Sequence, residues 1–277
     1  MDYLMRGSAP LTPQQWQVLD DAVVNTARSQ LVGRRFLSLV GPFGAGLQAI
    51  PDDRLSGGGG GHIDLLGQNE EAVHIERRRY IPLPLIYKDF WLFWRDIEAA
   101  EQFHLPLDTS KAAVAASACA NAEDSLIFNG DPEFESPGLL TVDGRLHARL
   151  HDWDTRGEAF QAVVEGIRVL TDADFYGPYA LVTSPRLYAR LNRIFDNSGV
   201  LELEQIEKLV RAGVYQTAVI PDTAVLVAAG AQNVDLALGF DLATAFVEST
   251  NLNYHFRVLE SLVMRVKRPA AILTFDL

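Results

Sequence analysis

Two histidines in HARLH, His147 and His151, stand four residues apart, the spacing at which one helical face offers two imidazoles to a single zinc ion. Metalloprotease chemistry on that spacing needs a glutamate directly after the first histidine as general base, and Ala148 occupies that place. No third ligand is evident, and TVDGRLHARLHDW reads as a hairpin or irregular loop, so the pair is expected at the surface without a metal. Glu71 and His74 form an ExxH, which a di-iron bundle uses in two copies beside two further glutamates on four helices. Here it occurs once, between a glycine run and an extended segment. GPFGAG, Gly41 to Gly46, has neither the GxGxxG order nor a Lys-Ser/Thr ending, and reads as a turn. No GxSxG nucleophile elbow is present. Trp91 and Trp94 in KDFWLFWRD are able to stack a flavin or a nucleobase, but an exposed aromatic arm must also be covered to avoid aggregation, and a subunit interface is the expectation. No catalytic residue, metal ligand or cofactor is expected.

Composition narrows the classes further. The chain has 277 residues, enough for one large domain or two interleaved ones, and its 48% hydrophobic content supports a full core. A net charge of -12 repels phosphate backbones, so nucleic acid is not an expected partner. The small basic clusters Arg77 to Arg79 and Val266 to Arg268 read as solvated or interface arginines. The lone Cys119 forbids an intrachain disulfide and reads as a small buried apolar residue in a reducing compartment. MDYLMRGSAP has no apolar signal region and no run of eighteen apolar residues occurs, so a cytoplasmic protein without a membrane span is expected.

The best-signed element opens the chain. Thr12 is a good N-cap, Pro13 suits the first helical position, and Gln15 stands where a capping-box partner belongs. Trp16, Leu19, Val23, Ala27 and Leu31 then recur at three- and four-residue spacing, one stripe that must bury against something, and Gly33 is placed to end the helix. Gly57 to Gly61 is a flexible spacer by composition. From Val73 to Ile97 the pattern is extended, apolar and aromatic, and Pro82 with Pro84 makes it a long edge hairpin arm. Asp108 can cap an alanine-rich helix from Thr109 to Phe128, and further helices are predicted over Thr155 to Leu170, Pro185 to Phe195 and LEQIEKLVRAG. From Thr217 onward strands with alternating apolar residues predict an antiparallel sheet, and the absence of a βαβ repeat gives an α+β class.

Along nearly its whole length the chain resembles the encapsulins, nanocompartment shell proteins also known as linocin-type bacteriocins. The residues that carry the resemblance are APLTPQQWQVLD, LVGRRF, LPLI, AEDSLIFNG with GLL following, YGPYALVTSPRLY, LGFDLATAF and the closing VKRPAAILTF, in that order. The resemblance implies the tailed-phage major capsid fold of the Hong Kong 97 type. On that plan 1–36 form a lumenal arm and helix, 37–61 and 98–137 a peripheral domain with its spine helix, 62–97 an extended loop, 138–219 an axial domain, and 220–277 strands returning to the peripheral domain.

It also implies an icosahedral homo-oligomer, sixty subunits being the expectation, that encloses a dye-decolourising peroxidase or a ferritin-like protein. In the family, C-terminal cargo tails dock on an apolar lumenal groove beside the first helix; by position, Trp16, Leu19, Val23, Ala27 and Leu31 supply the helix side. Asp196, Asn197, Ser198 and Gly199 resemble the rim of a five-fold pore, where Asp196 offers carboxylates to cations. Tyr87, Phe90, Trp91, Phe93 and Trp94 are expected between subunits on the extended loop. Some members bind flavin beside a tryptophan of that loop; alignment places Ile97 near the position, and no flavin is expected. Two other readings remain: a prophage capsid protein packaging DNA, against which the acidity weighs, and a peptidase or bacteriocin using His147 and His151.

Overall fold

A computed structural model describes residues 3–68, 70–195 and 199–276. The first helix, α1 (Pro13–Gln30), starts as its sequence dictates: Thr12 Oγ1 accepts the Gln15 amide at 3.2 Å while Gln15 Oε1 accepts the Thr12 amide at 2.8 Å. Next come β1 (Ser38–Val40), β2 (Ala49–Ser56), β3 (His74–Pro82) and β4 (Leu85–Leu92), then α2 (Trp94–Phe103) and the alanine-rich α3 (Ser110–Phe128). The middle holds β5 (Gly130–Asp131), β6 (Ser136–Pro137), β7 (Leu146–Arg149), α4 (Glu158–Asp172), β8 (Tyr179–Thr183), α5 (Pro185–Leu191) and α6 (Glu202–Leu209). Strands close the chain: β9 (Gly213–Gln216), β10 (Ala224–Ala228), β11 (Val234–Thr250), β12 (Asn253–Val266) and β13 (Ile272–Asp276).

Two sheets divide the work. The first has the order β1-β11-β12-β4, built on the long β11–β12 hairpin. Its one face, through Phe256, Val258 and Leu262, takes α1 and α3; its other face, through Ala237 and Val263, takes Ile50 and Ile81 from the β2–β3 ribbon and Leu83 just after it. Small residues on α3, among them Ala112, Ala115 and Ala116, let the helix backbone lie close to the sheet. The second sheet has the order β7-β13-β10-β8-β9 and packs Leu181, Leu226 and Leu273 against α4 residues Ala162, Val163 and Leu170. Between the sheets a third apolar cluster joins Val32, Phe36 and Phe128 to Val182, Val225 and Ile272.

Two expectations change on this frame. The strands from Thr217 onward do not form one antiparallel sheet: Leu226 pairs with Leu181 on one side and Leu273 on the other, so β10 and β13 belong to the second sheet, apart from β11 and β12. β2 and β3 form the two-stranded ribbon, and β4 crosses to become the edge of the first sheet, antiparallel to β12. The stretch after Phe93 turns helical, since Pro82 and Pro84 lie behind it, Asp96 sits in the first turn, and burying Ile97 rewards a helical register.

Candidate functional site: the N-terminal helix and its anchor

The stripe of α1 is spent on this chain's own core. Trp16, Leu19, Val23, Ala27 and Leu31 are 9%, 0%, 1%, 3% and 7% exposed. Trp16 packs edge-on against Phe256 with ring centroids 5.7 Å apart, and the Arg6 guanidinium lies 4.4 Å over its other surface. Arg6 also pairs with Asp20 at 2.5 Å and donates from Nε to the Thr244 carbonyl, which ties the segment before α1 onto β11. Beyond Pro13 in its first turn, what α1 leaves bare is polar except for Val18, which is 48% exposed, while Leu242 on a β11 irregularity stays half-buried beside Ala27 and Leu31.

Past its C-terminus α1 is held by charge. The helix ends at Gln30, and Gly33 starts a short 3-10 turn, Gly33–Arg35, rather than terminating α1 in a left-handed cap. The carboxylate of Asp124, buried on α3, accepts the amides of Val32 at 3.0 Å and Gly33 at 2.9 Å. Burial pushes the Asp124 pKa up to about 6, against the two backbone donors that favour its ionised form.

Beside it Arg34 gathers three carboxylates. Its Nε donates to Glu123 at 2.8 Å, one terminal nitrogen reaches Asp241 at 2.6 Å, and the other reaches Glu123 at 2.8 Å and Glu260 at 2.6 Å. Glu123 and Glu260 are fully buried. Burial opposes the charge on Arg34, but the hydrogen bond and charge of Glu123, with Glu260 and Asp241 behind, keep the guanidinium protonated. Glu260 moves well above the usual carboxylate range because burial and then the Glu123 charge disfavour its ionised form. One arginine thereby fastens α1, α3, β11 and β12 together. Arg34 lies within LVGRRF, Glu123 and Asp124 within AEDSLIFNG and Asp241 within LGFDLATAF, while Glu260 lies in none of these motifs; the readable signal is an acidic pair inside a largely apolar helix and a glutamate at an inward strand position.

The other candidate residues disperse. Phe90 is buried in the first sheet's core, whereas Tyr87 stacks under Arg257 at 4.0 Å and Trp91 lies flat on His255 with centroids 4.6 Å apart. Phe93 faces Lys111 at 4.3 Å, and Trp94 opens α2 half exposed, one turn from buried Ile97. Gly199 has a φ of 73°, which favours glycine; Asp196, Asn197 and Ser198 lie outside the described residues. His147 is on β7, not in a loop, and both its neighbours, Asp276 at 2.5 Å and Thr274 at 3.2 Å, approach the same Nδ1. A nucleophile–base–acid relay needs them on opposite nitrogens. His151 sits between Glu158 at 2.7 Å and Glu165 at 3.4 Å. Among the described residues no group of three or more His, Cys, Asp or Glu is placed to hold a metal ion, and no helix is long and apolar enough to cross a membrane. Cys119 is buried, which pushes its thiol up to about 12 and leaves it protonated.

Residues 1–263 match a family model described as the encapsulating protein for peroxidase. A type 1 encapsulin shell protein, EncA of Myxococcus xanthus, is 45% identical over 277 residues, covering 99% of this chain and 96% of its own. Among solved structures, the virus-like particle from Pyrococcus furiosus superposes with a TM-score of 0.76 at 21% identity, covering 94% of this chain and 99% of that one. The capsid of Myoviridae phage XM1 superposes with a TM-score of 0.62 at 14% identity, covering 86% and 88%.

Proposed function

The chain belongs to the encapsulin family of shell proteins and has the tailed-phage capsid fold, and we propose that sixty copies of it close into an icosahedral compartment around a cargo enzyme. The observation that carries this reading is apolar surface left uncovered on the β2–β3 ribbon and its connection. Ile63, Leu65 and Tyr80 are 102%, 101% and 70% exposed, more than a lone soluble chain leaves bare, and a neighbouring copy is what covers them. The α1 face turns to the interior. Cargo tails dock beside it on Val18 and the half-buried Leu242, with the five-residue stripe underneath as support. Each tail buries little, so affinity comes from many sites at once; about 100 Å² of apolar surface contributes roughly 2.5 kcal/mol before binding costs. A peroxidase is the first-choice cargo, since the matching family is described by one. On this reading residues 196–199 form a pore rim and Tyr87, Trp91, Phe93 and Trp94 contribute to subunit contacts.

Negative-stain microscopy of the protein purified from its native host, with mass spectrometry of the contents, tests the proposal. Hollow particles holding a peroxidase with a short C-terminal extension are expected. Monomers or dimers at micromolar concentration overturn the shell, a ferritin-like protein inside overturns the peroxidase assignment, and particles filled with DNA restore the phage reading.

A further inference from the structure

The β2–β3 ribbon carries a register that its own chain leaves unbalanced. Asp53 opposes Arg78 and Asp52 opposes Arg79, each as an ion pair, at 2.6 and 2.9 Å. The next pair is Arg54 opposite Arg77, two like charges directly across an antiparallel ladder, an arrangement that costs stability. Alternation along the strands puts Asp52, Arg54, Arg77 and Arg79 on one face, and that face walls a cavity of about 120 Å³ closed on the far side by Pro137, Thr141 and Val142. Arg54 donates to the Asp143 carbonyl at 3.3 Å and Arg79 to the Glu135 carbonyl at 3.1 Å, which fixes both guanidiniums against the wall. Arg77 has no hydrogen-bond or ion-pair partner among the described residues.

We propose that this cleft binds a phosphate group, either inorganic phosphate or the terminal phosphate of a small metabolite, held between Arg54 and Arg77. Guanidinium groups match tetrahedral oxyanions because their planar forks give paired donors. The cavity is large enough to admit such an ion. The Asp52 carboxylate also lines the cleft, as does Asp143. A carboxylate accepts only, so the site prefers an oxyanion that still carries a proton at neutral pH, as phosphate does, over sulfate, which carries none. Bound phosphate converts the Arg54–Arg77 opposition into a bridge that pins the ribbon to the 137–143 turn.

Calorimetric titration and thermal unfolding of the full-length protein in chloride buffer at pH 7, with phosphate or sulfate added at matched ionic strength, test this. Saturable phosphate binding that raises the unfolding midpoint is expected, about tenfold or more weaker in Arg77→Gln and Arg54→Gln, with sulfate weaker than phosphate. Without phosphate, Arg77→Gln should unfold no earlier than the parent, because it relieves a like-charge opposition. Unchanged binding in Arg77→Gln, or sulfate equal to phosphate, overturns the assignment. So does an Arg77→Gln protein that loses stability or assembly in phosphate-free buffer, since Arg77 would then already be meeting a fixed carboxylate of a neighbouring copy. Glucose 6-phosphate as a second titrant separates the two sources: competition with phosphate at the same arginines admits metabolites, and its failure confines the site to the free ion.

Discussion

Gly33 lies so close to Ile127 that a methyl group on its Cα would stand 2.5 Å from the Ile127 Cδ1 atom. The contact locks the turn after α1 onto the spine helix, and it is the Asp124 bonds to Val32 and Gly33 that bring the two backbones together. Gly33→Ala should therefore destabilise the chain by about 1–3 kcal/mol through overpacking. Ile127→Val removes the clashing methyl, so the double variant should recover part of the loss. Denaturant unfolding of both singles and the double measures this coupling; strict additivity would refute it.

Arg34 stands among three carboxylates, two of them buried. Arg34→Met should cost about 3–5 kcal/mol, because Glu123 and Glu260 lose their counter-charge without leaving the interior. Arg34→Lys should rescue little, since one ammonium cannot reproduce a fork bonded to three acceptors. Unfolding midpoints compare the two, and a lysine variant equal to the parent would count against the fork.

Asp124 ties stability to pH. Its folded pKa of about 6 lies above the ordinary 3.8, so its contribution is fully present below pH 3.8 and is lost as pH rises through 6. The loss over that window is on the order of 3 kcal/mol. Asp124→Asn keeps an acceptor for the two amides and removes the titration. Thermal midpoints between pH 4 and 7 should fall less steeply for the variant than for the parent, and parallel curves would assign the pH dependence elsewhere.

The burial of the α1 stripe separates support from surface. Val23→Asp places a charge at a 1% exposed position and should prevent recovery of folded protein, whereas Val18→Asp, at a 48% exposed position, should leave the fold intact and lower cargo content. Soluble particles from Val23→Asp with reduced cargo would return the stripe itself to the docking surface.

Much of this protein is legible in its residues. The capping box at Thr12 and Gln15 and the apolar period after it fixed where α1 begins and which face it buries, since both follow from interactions within a few residues. The motifs around His147 and Glu71 are likewise legible as incomplete, as a missing ligand type is visible without coordinates. What covers the stripe was decided only by tertiary structure: α3 and β12 pack over it, because a local period reports that a face is buried and never by what. The same limit hid the pairing of β10 with β8 and β13, which joins segments about 40 residues or more apart. It hid the meeting of Arg34 with Glu123, Asp241 and Glu260 as well, for the charge balance of a buried cluster exists only once distant strands have brought its members within hydrogen-bond reach.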